Sequence, residues 1–163
     1  MLALMQTKPA LIAAAAACIL AMAALPAYSV LPDIYPPPSQ ASNDIAAALK
    51  SAAATHKRVI LDFGGNWCAD CHVLDSYFHD AANRPLLESN YVLVHVNIGH
   101  RDANLDIAAR YQIPLAKGVP AIAVLDARGK LLYSQKTGEF EAMRFMQSGA
   151  VTDFLRNWKR PAA

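Results

Sequence analysis

The run Arg58-Val59-Ile60-Leu61-Asp62-Phe63 is almost wholly apolar and stops at Gly64-Gly65. Six such residues bounded by a glycine pair read as a short buried strand. Two cysteines, Cys68 and Cys71, stand directly after the break. Val73, Leu74, Tyr77 and Phe78 follow at helical spacing, which predicts a strand-turn-helix unit with the cysteines at its corner.

The same alternation continues along the chain. Arg84-Pro85-Leu86-Leu87 starts a short helical piece, and Tyr91 to Ile98 is a second strong strand, rich in valine. Asp102 to Tyr111 reads as a helix with Leu105, Ala108 and Ala109 on one face. Val119 to Asp126 is a strand with Pro120 near its start, where a missing amide costs least. Ala127-Arg128-Gly129-Lys130 turns it into Leu131-Leu132-Tyr133-Ser134, and Glu141 to Trp158 supplies a terminal helix. In front of all this, Ser42 or Asn43 can cap a helix running through Ile45 and Leu49 toward Thr55. The expected class is α/β: a central mixed sheet flanked by helices, with its last pair antiparallel and one extra N-terminal helix.

With 163 residues, the chain has room for one core and an added segment. A formal charge of +2 without basic clusters gives nucleic-acid binding no support. The N-terminus reads as an export signal over residues 1–27: Lys8, then an alanine-rich apolar run from Pro9 to Leu25, then Pro26 beside small residues. An uncleaved membrane anchor is the alternative, since the run approaches the length a span needs. Cys18 after three alanines faintly resembles a lipoprotein signal but lacks the usual leucine. Residues 28–42 carry Pro32 and Pro36-Pro37-Pro38 and read as an extended tether that need not pack. The expected division is signal 1–27, linker 28–42 and domain 43–160.

Removing the signal leaves two of three cysteines, separated by only two residues. A structural staple normally closes a longer loop, so this pair points to exchange chemistry or a ligand role. An exported chain meets an oxidising compartment, where such a pair is held as a disulfide or kept reduced by a dedicated donor.

The run Asp62-Phe63-Gly64-Gly65-Asn66-Trp67-Cys68-Ala69-Asp70-Cys71 resembles the thioredoxin superfamily, with an acid six residues before the first cysteine and a tryptophan just before it. The closer likeness is to exported thioredoxin-like disulfide reductases and isomerases. Gly118-Val119-Pro120 is similar to the family loop in which a cis proline faces the disulfide. The resemblance spans most of Val59 to Trp158. It departs from thioredoxin in Ala69-Asp70, in His72 after the second cysteine, and in extra residues before Pro120. His95 stands where thioredoxins tend to have a lysine near the buried acid, which implies a titrating Asp62–His95 pair active near neutral pH.

On this resemblance Cys68, at a helix start whose free amides stabilise thiolate, is the nucleophile. Cys71 resolves the mixed disulfide. Asp62 takes or gives the proton when Cys71 attacks, although a strand-end aspartate bonded to nearby amides is its bland alternative. Trp67 offers an apolar contact to substrate or fills a core position. Ala69 and Asp70 tune redox poise: an acid there opposes thiolate and favours reductase or isomerase over primary oxidant. Val119 and Pro120 line the substrate side. No cofactor beyond the redox-active disulfide and no metal is expected, the partners being protein thiols and disulfides and a membrane or periplasmic electron donor, for a monomer.

Other chemistries remain open on these residues. Cys68-Ala69-Asp70-Cys71-His72 matches literally the attachment pattern of a c-type haem, with Met143 or Met146 as second axial ligand. A metal handler could use both thiolates with His72 or His95. A non-enzymatic adaptor is a third reading, against which both cysteines argue. Direction of electron flow, donor and clients do not follow from the sequence.

Overall fold

The computed structural model describes residues 31–161. The expected signal or anchor, Cys18 and the first residues of the linker lie outside them. A four-stranded sheet runs in the order β2-β1-β3-β4, with β1 Arg58–Gly64, β2 Tyr91–Asn97, β3 Ala121–Leu125 and β4 Leu131–Ser134. β1 and β2 are parallel, whereas β3 is antiparallel to both β1 and β4. The helices are α1 Ala41–Thr55, α2 Ala69–Phe78, α3 Arg84–Asn90, α4 Leu105–Arg110 and α5 Ser148–Trp158. Among the described residues, no helix is long and apolar enough to cross a membrane.

β1 is buried along nearly its whole length because it is central and both faces are covered. Val59, Leu61 and Phe63 join Ile45, Ala48 and Ala52 of α1 in one core. Ile60 joins Leu74 and Phe78 of α2 and Phe154 and Leu155 of α5 in the other. A strand covered twice shows continuous apolarity rather than alternation. Its one charged interior residue, Asp62, is fully buried.

Three element boundaries differ from expectation. α1 begins at Ala41, running on from a 3₁₀ turn at Pro38–Gln40, so neither Ser42 nor Asn43 caps it. The expected helix from Asp102 starts only at Leu105, because Arg101 and Asn104 take left-handed backbone and Asp102 accepts the His100 amide in a turn. Ile107 and Ala108 face inward there, while Leu105 is exposed. The terminal helix is broken: Met143–Phe145 is a 3₁₀ turn, Met146 is extended, and α5 follows from Ser148.

The proline-rich segment is no free tether over its described part. The Ile34 and Tyr35 amides donate to Asn66 Oδ1 at 2.9 and 2.8 Å, and Asn66 Nδ2 returns a bond to the Tyr35 carbonyl at 3.0 Å. Tyr35 is buried, and Asn97 and Asn104 hold the Pro36 and Pro38 carbonyls. Prolines lack amides but keep carbonyls, and asparagines supply the donors.

Candidate active site

β1 ends at Gly64, and the turn that follows delivers Cys68 to the start of α2 with its amide on the Gly65 carbonyl at 2.9 Å. Cys68 occupies the N-cap in extended conformation, and its Sγ accepts from the Cys71 amide at 3.2 Å. The position puts that sulfur against the helix's unpaired amides, where negative charge is favoured. Cys68 and Cys71 form a disulfide with Cα atoms 5.3 Å apart. Cys68 retains 6% of its surface and Cys71 none, so an incoming sulfur can reach only the first. Ala69 is exposed beside it. Across the disulfide, the Val119 carbonyl lies 3.6 Å from Cys68 Sγ, and the Val119–Pro120 bond is cis.

Behind Cys71 stands a chain of polar groups. The sheet register sets Asp62 beside His95, and His95 Nδ1 lies 2.9 Å from Asp62 Oδ2. The Tyr35 hydroxyl donates to the same oxygen at 2.6 Å. Asp62 Oδ1 is buried with no partner among the described residues. The far ring nitrogen, His95 Nε2, lies 3.3 Å from Asp75 Oδ1 on α2, and Asp75 also meets His79 at 3.2 Å. Burial disfavours charge on His95, but hydrogen bonds and charges from both Asp62 and Asp75 outweigh it and raise its pKa to about 9. The expected transition near neutral pH is therefore displaced upward, because a second carboxylate holds the ring. Burial pushes the Asp75 carboxyl up, yet its bond to His95 brings it below the usual range. Tyr35 is raised well above an ordinary phenol by burial and then by the Asp62 charge, so it remains a proton-bearing hydroxyl.

On the outer rim, Trp67 is 45% exposed, donates to the Gly99 carbonyl at 2.6 Å and stacks on His100. It therefore belongs to no core. Asp70 is not free to oppose a thiolate as expected: Arg144 binds it through Nε at 3.1 Å to both oxygens and through its amide at 2.9 Å. The break before α5 brings Arg144 there. His72 Nε2 lies 2.9 Å from the Asn66 carbonyl, which employs it within the cysteine loop. Met143, imagined as a haem ligand, is fully buried among Phe140, Val151 and Leu155. Among the described residues, no group of three or more His, Cys, Asp or Glu side chains could hold a metal ion.

Sequence reasoning missed Tyr35, Asp75 and Arg144. Asp75 carries a signal, since it lies four residues after Cys71 and so one helical turn along the same face. Tyr35 is the aromatic residue directly before the three-proline run, and an aromatic flanked by prolines is a candidate anchor. Arg144 carries none, because its contact spans the whole domain.

A thioredoxin-like family model matches residues 40–127. The crystal structure of a disulphide isomerase from Xylella fastidiosa is similar at 32% identity and a TM-score of 0.73, over 78% of this chain and 97% of that one. A thiol:disulfide interchange protein DsbD from a Pseudomonas species is 28% identical over 106 residues, which are 64% of this chain and 18% of DsbD. The chain thus spans under a fifth of that relative. Thioredoxin from Rattus norvegicus is 29% identical over 104 residues, 63% of this chain and 85% of that one.

Proposed function

The chain belongs to the thioredoxin-like family, and on that premise we propose that it reduces or isomerises disulfides in exported proteins through Cys68 and Cys71. The observation that carries this reading is the Cys68–Cys71 disulfide at the start of α2, with only Cys68 open to an incoming sulfur. In the reduced protein the Cys68 thiolate attacks a substrate disulfide and one substrate sulfur leaves. Cys71 then attacks Cys68 Sγ, the mixed disulfide breaks, and the second substrate sulfur leaves reduced. Asp62, fully buried on β1, is the proton acceptor for Cys71. The dithiol itself stores the electron pair, so no cofactor is assigned.

Substrate would approach over Trp67 and the Val119 carbonyl, the latter presenting an acceptor to an extended peptide amide beside the attacked sulfur. Protein thiols and disulfides are the proposed partners, with a membrane or periplasmic donor regenerating the dithiol. The likenesses to a disulphide isomerase and to DsbD support that class and an extracytoplasmic site of action, as does the apolar run of residues 9–25. A monomer suffices, since one chain carries every group the exchange uses.

The test is catalysed reduction of insulin by dithiothreitol alongside reactivation of scrambled ribonuclease. Turnover in either assay that disappears in Cys68→Ser supports the reading. Turnover that survives Cys68→Ser, or no turnover by the intact protein in either assay, overturns it.

A further inference from the structure

Cys71 has no exposed surface, so its proton cannot pass directly to water. We propose that the Tyr35 hydroxyl carries that proton between Cys71 and Asp62, and that His95 and Asp75 connect Asp62 to solvent. The proposal rests on Cys71 being the resolving thiol. Tyr35 lies outside the matched family stretch of residues 40–127, so a residue beyond it completes the site.

Gly64 shows how close the groups are. A Cβ on Gly64 would stand 2.5 Å from the Tyr35 hydroxyl oxygen and 2.6 Å from Cys71 Sγ, so both atoms pack against the same glycine with no side chain of that residue between them. From there the hydroxyl reaches Asp62 Oδ2 at 2.6 Å. Three hydrogen bonds between the Ile34–Tyr35 backbone and the Asn66 side chain, two donated by the backbone amides and one by Asn66 Nδ2, fix the segment that delivers it, with Asn66 two residues before Cys68. A phenol packed and tied this way holds its donor already aimed at Asp62.

The proton count balances. As Cys71 attacks, its S–H proton passes to the Tyr35 oxygen while the Tyr35 O–H proton passes to Asp62. The Cys71–Cys68 bond forms, the Cys68–substrate bond breaks, and the departing substrate sulfur takes a proton from water. His95 releases its Nε2 proton through Asp75, so one proton enters the Asp62–His95 pair and one leaves it. When an external dithiol later reduces the Cys68–Cys71 bond, Cys71 leaves as thiolate, and the protons return by the same groups. The charged and titratable groups facing His95 are Asp62 on β1, Tyr35, and Asp75 on α2, with Asp44 of α1 lining the adjoining cleft. His72 of α2 and His79, which caps its C-terminal end, act on Asp75.

The test uses the reduced full chain carrying Cys18→Ala, so that Cys68 and Cys71 are the thiols counted, and the chromogenic disulfide dithiobis-nitrobenzoate, which releases one coloured thiol when Cys68 attacks and a second when Cys71 resolves. In Tyr35→Phe the first release is expected unchanged and the second slowed about 10²-fold at neutral pH, the scale of lost proton transfer. The deficit should shrink as alkali ionises Cys71 without help. Asp62→Asn should slow the second release similarly, and the double variant no further. In the Cys18→Ala chain with Tyr35 intact, heavy water should slow the second release and not the first, a readout independent of whether Tyr35→Phe folds well. An unchanged second release in a folded Tyr35→Phe, an equal fall in both releases, or no isotope effect overturns the relay. A Cys18→Ala chain with Tyr35 intact that releases only one thiol overturns the dithiol mechanism itself, which separates the two failures.

Discussion

His95 is held between two carboxylates, one buried and one at the surface, and its ionisation therefore belongs to the stability of the fold. Its pKa stands at about 9 against an ordinary 6.5. A group raised in the folded state contributes stability that is complete below the unfolded value and vanishes as pH climbs through the folded one. We expect the melting temperature to hold up to about pH 6.5 and to fall by roughly 5 °C or more as pH rises from there to about 9, levelling beyond it. In His95→Gln that slope should flatten, which thermal melts across pH would read. Asp75, held below the usual carboxylate range, works in the opposite sense and loses its contribution as acid neutralises it. In the structure the register of β1 on β2 sets His95 and Asp62 side by side. Their pairing was legible in the sequence only through the likeness to thioredoxins, which tend to have a lysine in place of His95 near the buried acid. Its displacement from neutral pH was not, since Asp75 arrives through the phase at which α2 crosses the sheet.

The first turn of α2 is braced from across the domain by the Arg144–Asp70 pair. With Arg144 in place the Asp70 charge is offset, and without it the charge stands unpaired in the first turn of α2, two residues from Cys68. Arg144→Ala should disfavour thiolate and hence the reduced form, lowering the reduction potential. Asp70→Asn should raise it. Arg144 is 57% exposed, so water screens the pair and each shift should be modest, about 10–30 mV, measured against glutathione buffers. The strands were readable because apolar β-branched runs bounded by Gly, Pro or Asn have few other ways to bury themselves. The starts of α4 and α5 were not: left-handed Asn104 and the 3₁₀ turn at Met143–Phe145 answer to contacts with distant segments, and local periodicity is blind to those.

Taken as one molecule, the protein closes its proposed active site with a residue that precedes α1, Tyr35. Tyr35 is 2% exposed, and burying a large aromatic contributes about 1.5–3 kcal/mol. A chain beginning at Ser39 should melt about 5–10 °C below one beginning at Leu31 and should show the same slow second release as Tyr35→Phe. Composition alone reads residues 28–42 as a linker, because proline content describes stiffness and says nothing of what an intervening tyrosine grips. The unequal burial of the two cysteines has one more consequence. Of these two, peroxide can meet only Cys68, and a sulfenic acid formed there lies beside Cys71, which condenses with it to the disulfide. Oxidative injury is thereby converted into an ordinary state of the catalytic cycle, and the fold keeps its own sulfur from the irreversible rungs above.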